Sequence, residues 1–265
     1  MSDSEIHSSS IVAKEAKIGR GVKIGPFCLI GPDVVIGDDT IVQSHVVIDG
    51  HTEIGVANQF FSFCSIGRPP QDSTYKNEPT KVIIGSKNIF REYVSIHRGT
   101  TKENMITKIG DENMLMAHVH VGHDVLMGNK CVVANSTNFA GHVKVSDRVI
   151  IGGGTNISQF VSLGRGAYIG GASGIDRDIP IFCTAYGNRA RLRGVNIIGM
   201  RRQGIAKNVI SEVVDFYRMM EASALSPRSF IDKSDLMKDY INNEIIQEMC
   251  KQIKQSEIGI APFTD

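Results

Sequence analysis

The chain has 265 residues, enough for one large domain or two modest ones with a sizeable core. Lys plus Arg number 29 against 28 for Asp plus Glu, a net charge of +1 that excludes a nucleic-acid coat or an acidic tail, so no nucleic-acid partner is expected. Gly reaches 27 and Trp is absent, which suits tight turns better than a helical bundle.

The opening MSDSEIHSSS has no basic stretch ahead of an apolar core, so no secretory signal is expected. No apolar run approaches the ~20 residues of a membrane helix, so no integral membrane segment is expected either. The five cysteines (Cys28, Cys64, Cys131, Cys183 and Cys250) form no CxxC pair, which points to a reduced, cytoplasmic protein rather than a disulfide framework or a zinc ribbon.

From Ile6 onward every sixth residue is apolar: Ile6, Val12, Ile18, Ile24, Ile30, Ile36, and on to Ile66. The beat continues through Ile84, Phe90 and Ile96, shifts once, and resumes at Ile109 to end at Ile181. A helix repeats every 3.6 residues and a strand every 2, so neither produces this pattern. Hexapeptide repeats of this kind specify a parallel β-helix, three hexapeptides to a coil, with residues 18 apart stacked at about 4.8 Å. The repeated aliphatics point inward, and small residues two places before them (Ala16, Cys28, Cys64, Cys131, Ala167, Ser173) share the interior as packing residues. Gly and Asn at the corners permit positive φ. Handedness does not follow from spacing; resemblance to known hexapeptide-repeat proteins implies a left-handed helix.

Two segments break the beat, 68–80 with three prolines and 98–108 where the phase shifts, and both read as loops thrown out of the coil. After Ile181 the beat stops. Ile205, Val209, Val213, Phe216, Tyr217 and Met220 recur at helical spacing, Ser226-Pro227 supplies a cap and first-turn proline, and 234–253 carries a third amphipathic pattern. The expected division is a β-helix over 1–185 and a helical domain over 186–265.

The register places chemistry. His118, His120 and His123 fall within MAHVHVGHD, with Asp124 beside the last, in a chain of eight histidines. Adding 18 puts His142 over the His123–Asp124 corner and Gln159 near the next level, and removing the seven-residue phase shift puts His97 below. His97, His123, His142 and Gln159 thus form a column about 14 Å tall at the strand spacing. Three readings compete: solvated corner histidines, a zinc site of imidazoles with an open position, and an acid/base site in which a His takes a proton while an acid supports the imidazolium. The interleaved Asp and Gln favour the last. Between Asp178 and Glu212 lie six basic residues (Arg189, Arg191, Arg193, Arg201, Arg202, Lys207) and no acid, a local field suited to a phosphate-bearing substrate or an acidic protein. No phosphate-loop or dinucleotide-binding fingerprint is present.

Several motifs together resemble the UDP-N-acetylglucosamine O-acyltransferase family: IGPFCLIGP at 24–32, SHVVIDGHTEIG at 44–55, QDSTY at 71–75, IHRGT at 96–100, HVGHD at 120–124, AGHVKV at 140–145 and GNRARLRGVN at 187–196. The resemblance implies a homotrimer with active sites between neighbouring coils. It also implies transfer of a 3-hydroxyacyl group from acyl carrier protein to the glucosamine 3-hydroxyl of the UDP-sugar, the first step of lipid A synthesis, with no cofactor and no metal. By matching position His123 is the general base, Asp124 raises its basicity and the Gly141 N–H stabilises the oxyanion. Asp72, His97, His120, His142, Gln159, Asn196 and Arg202 match substrate contacts, Gly171 matches the position that limits acyl length, and the basic tail faces the carrier protein. The chain departs from the family at Ser158 (His), Ile198 (Glu), Gln203 (Arg) and Thr74 (Lys, with Lys76 two places on). Beside this reading stand an acyltransferase using a 3-amino sugar, a zinc-dependent hydratase of the hexapeptide-repeat carbonic anhydrase type, and a non-catalytic trimer that binds carrier protein or nucleotide sugar.

Overall fold

The computed structural model describes residues 4–223, 225–233, 240 and 242–264. Short strands follow one another around a left-handed parallel β-helix whose three faces are sheets of 11, 9 and 8 strands, here A, B and C in the order the chain visits them. Stacking is at the expected interval of 18, as in His120 against Asn138 and Asn138 against Asn156. Across the two excursions the interval grows by whole loops, from Ser65 to Ser95 and from Ser95 to His120, and the inward phase is kept.

The beat residues fill the interior. Ile30, Ile48, Ile66, Ile96, Val121, Phe139 and Ile157 are all buried, and Phe60 and Phe90 stack ring on ring at 4.8 Å inside the coil. Only the open first coils differ: Ile6 is 44% exposed because nothing stacks below it. Polar interior positions form their own ladder, in which Asn58 Oδ1 accepts from Asn88, Asn88 Oδ1 from the Asn113 N–H and Asn113 Oδ1 from the Cys131 N–H. All five cysteines are free and buried, and burial pushes the Cys64 and Cys131 thiols up to about 12, so they are packing residues and not nucleophiles.

The corners are turned less by Gly and Asn than expected. Among the described residues nineteen non-glycines hold positive φ, including Phe27, His45, Phe63, Tyr93 and His118 at the A/B corner and Asp124, His142 and Phe160 at the B/C corner. Coils above and below fix each turn, which is how such conformations persist in bulky residues.

Both excursions leave from the B/C corner. The first spans 69–80, since strand Ser65–Arg68 precedes it and Lys81–Ile84 follows. The second is shorter than expected, 98–105, because Ile106–Ile109 is already strand. Arg98 braces them together, donating to Gly67 O at 2.6 Å and to the Tyr75 hydroxyl at 2.9 Å.

The boundary at 186 needs correcting. Strand Cys183–Tyr186 extends sheet A in parallel and strand Arg191–Val195 turns back antiparallel against it, so sheet structure reaches ten residues into the segment expected to be helical. In RLRGV only Leu192 is buried, and so short an alternation carries little periodic signal. Helices follow: α1 (Ile197–Arg202), α2 (Lys207–Ala222), α3 (Pro227–Ile231) and α4 (Glu244–Gln255). Helix α2 buries Ile210, Val213, Phe216, Tyr217 and Met220, with Ile210 taking the place expected of Val209 and Ile205 lying before the helix. Ser226 caps α3, accepting from the Ser229 N–H, with Pro227 in the first turn as expected. Part of the 234–253 pattern lies outside the described residues; the rest is α4, whose Gln252 accepts from the Ile181 N–H and donates to Ile179 O, closing the end of the coil. Among the described residues no helix is long and apolar enough to cross a membrane.

The stacked pair in the interior gives a direct test. Phe90→Ala is expected to cost about 3–5 kcal/mol, because coil spacing prevents the cavity from collapsing. A denaturant midpoint shifted by less than about 1 kcal/mol equivalent would show that the interior repacks.

Candidate active site

A cavity of about 420 Å³ opens on sheet B where it meets the B/C corner. His97, His120, His123, Gly141 and Gln159 line it, together with Gln71 from the first excursion. The histidines meet in two pairs: the His97 and His120 rings meet edge-on at 5.0 Å, and so do those of His123 and His142 at 5.1 Å.

At its centre is a buried dyad. His123 Nδ1 lies 2.8 Å from Asp124 Oδ2. An ionised carboxylate only accepts, so Nδ1 carries the proton and Nε2 presents a lone pair. Asp124 also accepts from the Thr100 hydroxyl at 2.6 Å and the Thr100 N–H at 2.8 Å, while its own N–H donates to Thr107 Oγ1. Burial pushes this carboxyl upward, but the bonds from His123 and Thr100 and the nearby His142 more than offset it and hold it below its ordinary value.

Gly141 lies against the His123 ring, where a Cβ would come within 2.4 Å of Cε1 and 2.7 Å of Nε2, so only glycine fits. Its N–H, in a buried residue, donates to no acceptor among the described residues. Burial first, then His120 and His123, Arg68 and Arg98, push the His97 pKa down to about 4, and burial with His123 lowers that of His120. Both stay neutral near pH 7. His97 Nδ1 is buried without a protein partner, whereas His120 Nδ1 lies 2.8 Å from Ser95 Oγ.

Not every expected residue converges here. His142 does not line the cavity; it stacks on Phe160, with Nδ1 3.2 Å from Glu103 Oε2 and Nε2 3.8 Å from Asp124 Oδ2. Asp72 does not line the cavity; it is held by Lys102 Nζ at 2.6 Å and by Thr74, which keep its carboxyl well below its usual range. Gly171 sits at the A/B corner above Gly153, across sheet B from the dyad. Asn196 and Arg202 line a different cavity of about 630 Å³ on sheet A, with Ile150, Tyr168 and Ile198. Both ends of the Asn196 amide are used in the fold, one capping α1 at the Gly199 N–H and the other donating to Gly166 O.

Sequence reasoning missed Thr100, Gln71, Asn138 and Asn156. The asparagines were within reach, since they stack on His120 at 18 and 36 and bond to each other at 2.9 Å. Gln71 and Thr100 stand in loops outside the register. Among the described residues one group, His123, Asp124 and His142, is compact enough to hold a cation. Its Asp124 oxygens already accept three donors, which fits a proton-transfer dyad better than a ligand set.

Comparison with known proteins agrees. The family described as Udp N-acetylglucosamine O-acyltransferase, Domain 2, matches residues 178–261, and the bacterial transferase hexapeptide family matches 15–50. The acyl-[acyl-carrier-protein]–UDP-N-acetylglucosamine O-acyltransferase of Stutzerimonas stutzeri (strain A1501) is 40% identical over 175 residues, 66% of this chain and 68% of that protein. LpxA from Acinetobacter baumannii superposes with a TM-score of 0.92 at 42% identity, over 97% of this chain and 99% of that one. The enzyme from Moraxella catarrhalis gives 0.92 at 39% identity over the same shares, 97% and 99%.

The depressed His97 pKa makes stability depend on pH. The unfolded chain binds this proton near its ordinary ~6.5, the folded chain only near 4, so stability is lost as pH falls through that window. Denaturant midpoints between pH 7 and 4 are expected to fall, and His97→Asn to flatten the slope; an unchanged slope in the variant would exclude His97 as its source.

Proposed function

The chain belongs to the UDP-N-acetylglucosamine O-acyltransferase family, and from that premise we propose how its own residues carry out the transfer. It is an acyltransferase that moves a 3-hydroxyacyl group from acyl carrier protein to the glucosamine 3-position of UDP-N-acetylglucosamine. One observation carries the mechanism: the His123–Asp124 dyad, buried beside the free N–H of Gly141 in a polar cavity. His123 Nε2 takes the proton of the sugar hydroxyl as its oxygen attacks the thioester carbonyl, and Asp124 stabilises the imidazolium. The Gly141 N–H faces the oxyanion that forms. Collapse releases the carrier thiolate, which takes its proton back from the imidazolium. His97, whose Nδ1 lacks a protein partner, and Gln159 and Gln71 are the contacts available to the sugar.

Asn196 and Arg202 lie on another face of the same chain, and a trimer resolves this division. The faces differ in what they present: sheet C mixes Lys17, Glu53, Lys108 and Lys144 with Val35, Ile83 and Leu126, whereas sheet A above Lys23 points Ile41, Ile89, Met114, Val132, Ile150 and Tyr168 outward with Gln59 among them. If sheet B of each chain faces sheet A of the next, the lysine-rich face stays in solvent and the two cavities meet. The A/B corner then lies on the three-fold axis. That corner carries an exposed ring stack, Phe27, His45, Phe63, Tyr93 and His118, with successive centroids 4.7–5.0 Å apart. Phe27 is 61% and Phe63 46% exposed in the isolated chain, surface that association would cover. Exposed Arg201, Arg202 and Lys207 on the tail are placed to attract an acidic carrier protein. A cytoplasmic location accords with five unpaired cysteines and this donor.

Two measurements test this. Purified protein given 3-hydroxyacyl carrier proteins of several lengths, with UDP-N-acetylglucosamine and its 3-amino analogue in parallel, is expected to acylate the former. His123→Ala is expected to lose roughly 10³-fold or more in turnover with assembly intact, on the scale of removing a catalytic base; unchanged turnover would remove His123 from the mechanism. In the second, inactive His123→Ala and Arg202→Ala chains are unfolded and refolded together. Shared sites predict recovered activity in the mixture; none recovered means that each site is built from one chain.

A further inference from the structure

We propose that the 98–105 excursion is a clamp on the catalytic dyad and that Thr100 is its positioning residue, setting the Asp124 carboxylate that orients His123. Nothing in the hexapeptide pattern requires this loop. It leaves the coil one level below the dyad, after Ser95–His97, and returns to the next strand of that coil at Ile106–Ile109. Between those points three consecutive contacts reach inward or across. Thr100, only 3% exposed, gives both its hydroxyl and its N–H to Asp124, one to each oxygen. Lys102 bonds Asp72 of the other excursion, and Glu103 Oε2 stands beside His142 Nδ1.

The backbone is shaped for this approach. Gly99 passes so close that a Cβ there would meet Asp124 Oδ1 at 2.8 Å and the Ile106 N–H nitrogen at 2.3 Å. A glycine is needed to bring Thr100 within bonding distance. The coil alone supplies Asp124 with its neighbour His123 and nothing for the remaining lone pairs; the excursion supplies two donors. Two fixed donors hold the carboxylate plane, so the oxygen facing His123 Nδ1 stays in place and the lone pair of Nε2 keeps its aim into the cavity. The loss of such support is felt in the chemical step and not in substrate affinity, because Thr100 does not line the cavity.

The proposal rests on His123 acting as base, so its test has a readout that does not need turnover. Thr100→Val keeps the shape and removes the hydroxyl; Thr100→Ser keeps the hydroxyl. Expected for the valine variant is a kcat lower by roughly 10- to 100-fold, the scale of one hydrogen bond to a charged group, with KM for both substrates nearly unchanged. Serine is expected to restore most of kcat. In parallel, 1H–15N spectra of histidine-labelled protein follow the His123 Nδ1–H signal, expected to persist in the serine variant and to be lost or broadened in the valine variant. Should valine fail to assemble, Thr100→Ala is read in the same way. An unchanged kcat together with an unchanged Nδ1–H signal in the valine variant overturns the proposal, as does a serine variant as slow as valine, which would make packing the whole of the role. If His123→Ala retains turnover the base assignment fails instead, and the Nδ1–H comparison still decides whether Thr100 holds the dyad.

Discussion

The backbone hydrogen bond from one coil to the next is the constraint on which everything else in this chain depends. Each coil contacts only its neighbours, so order propagates along one axis and a residue's height is set by counting. Phe139 O accepts from the Gly122 N–H, and Ile157 O from the Ala140 N–H; those bonds hold the two walls of the active cavity in register. Insertions are tolerated only at corners, where they leave the ladder unbroken. Both excursions obey this, and both leave at the B/C corner, so the irregular parts of the coil lie beside the His123–Asp124 dyad. Loop closure costs grow slowly with length, which makes such corners inexpensive places to add function.

The fold was legible in the sequence because its period is unlike that of a helix or a strand, and because burial follows the beat almost without exception from Ile24 to Ile181. The vertical arrangement of the site was legible for the same reason: adding 18 places His142 one coil above Asp124. Direction was not. Register states which residues share a corner but not which way a side chain turns there, and the Phe160 ring and Glu103 draw His142 away from the cavity. Loops have no register at all, which is why Thr100 went unassigned although its IHRGT motif stood out. Asn196 illustrates another limit, since an amide that caps a helix and one that contacts a substrate look alike in a sequence.

The three faces of the prism extend the argument from chain to assembly. A parallel β-helix has no intrinsic inside and outside beyond its core, so the composition of each outward row is free to record what that row meets. Lysines on sheet C record water. In the proposed trimer the aliphatics of sheet A and the exposed rings of the A/B corner meet apolar neighbours; Phe27, Phe63 and Tyr93 are 46–61% exposed in a single chain. The histidine cavity opens on sheet B, the face that meets sheet A of the next chain in the proposed trimer.

Within that cavity, hydrogen-bond satisfaction separates scaffold from working parts. Asp124 is saturated: both its oxygens are occupied and its N–H is bonded, as expected of a group that must not move while charge develops beside it. Among the described residues neither His97 Nδ1, which is buried, nor the N–H of the buried Gly141 has a protein partner. Burying polar atoms without partners costs free energy, and both atoms belong to residues that line one cavity, which supports the proposal that they are contacts kept open for the substrate and its transition state. In the proposed mechanism the bonded carboxylate holds the base still, and the unsatisfied donor bonds the oxyanion only when it forms.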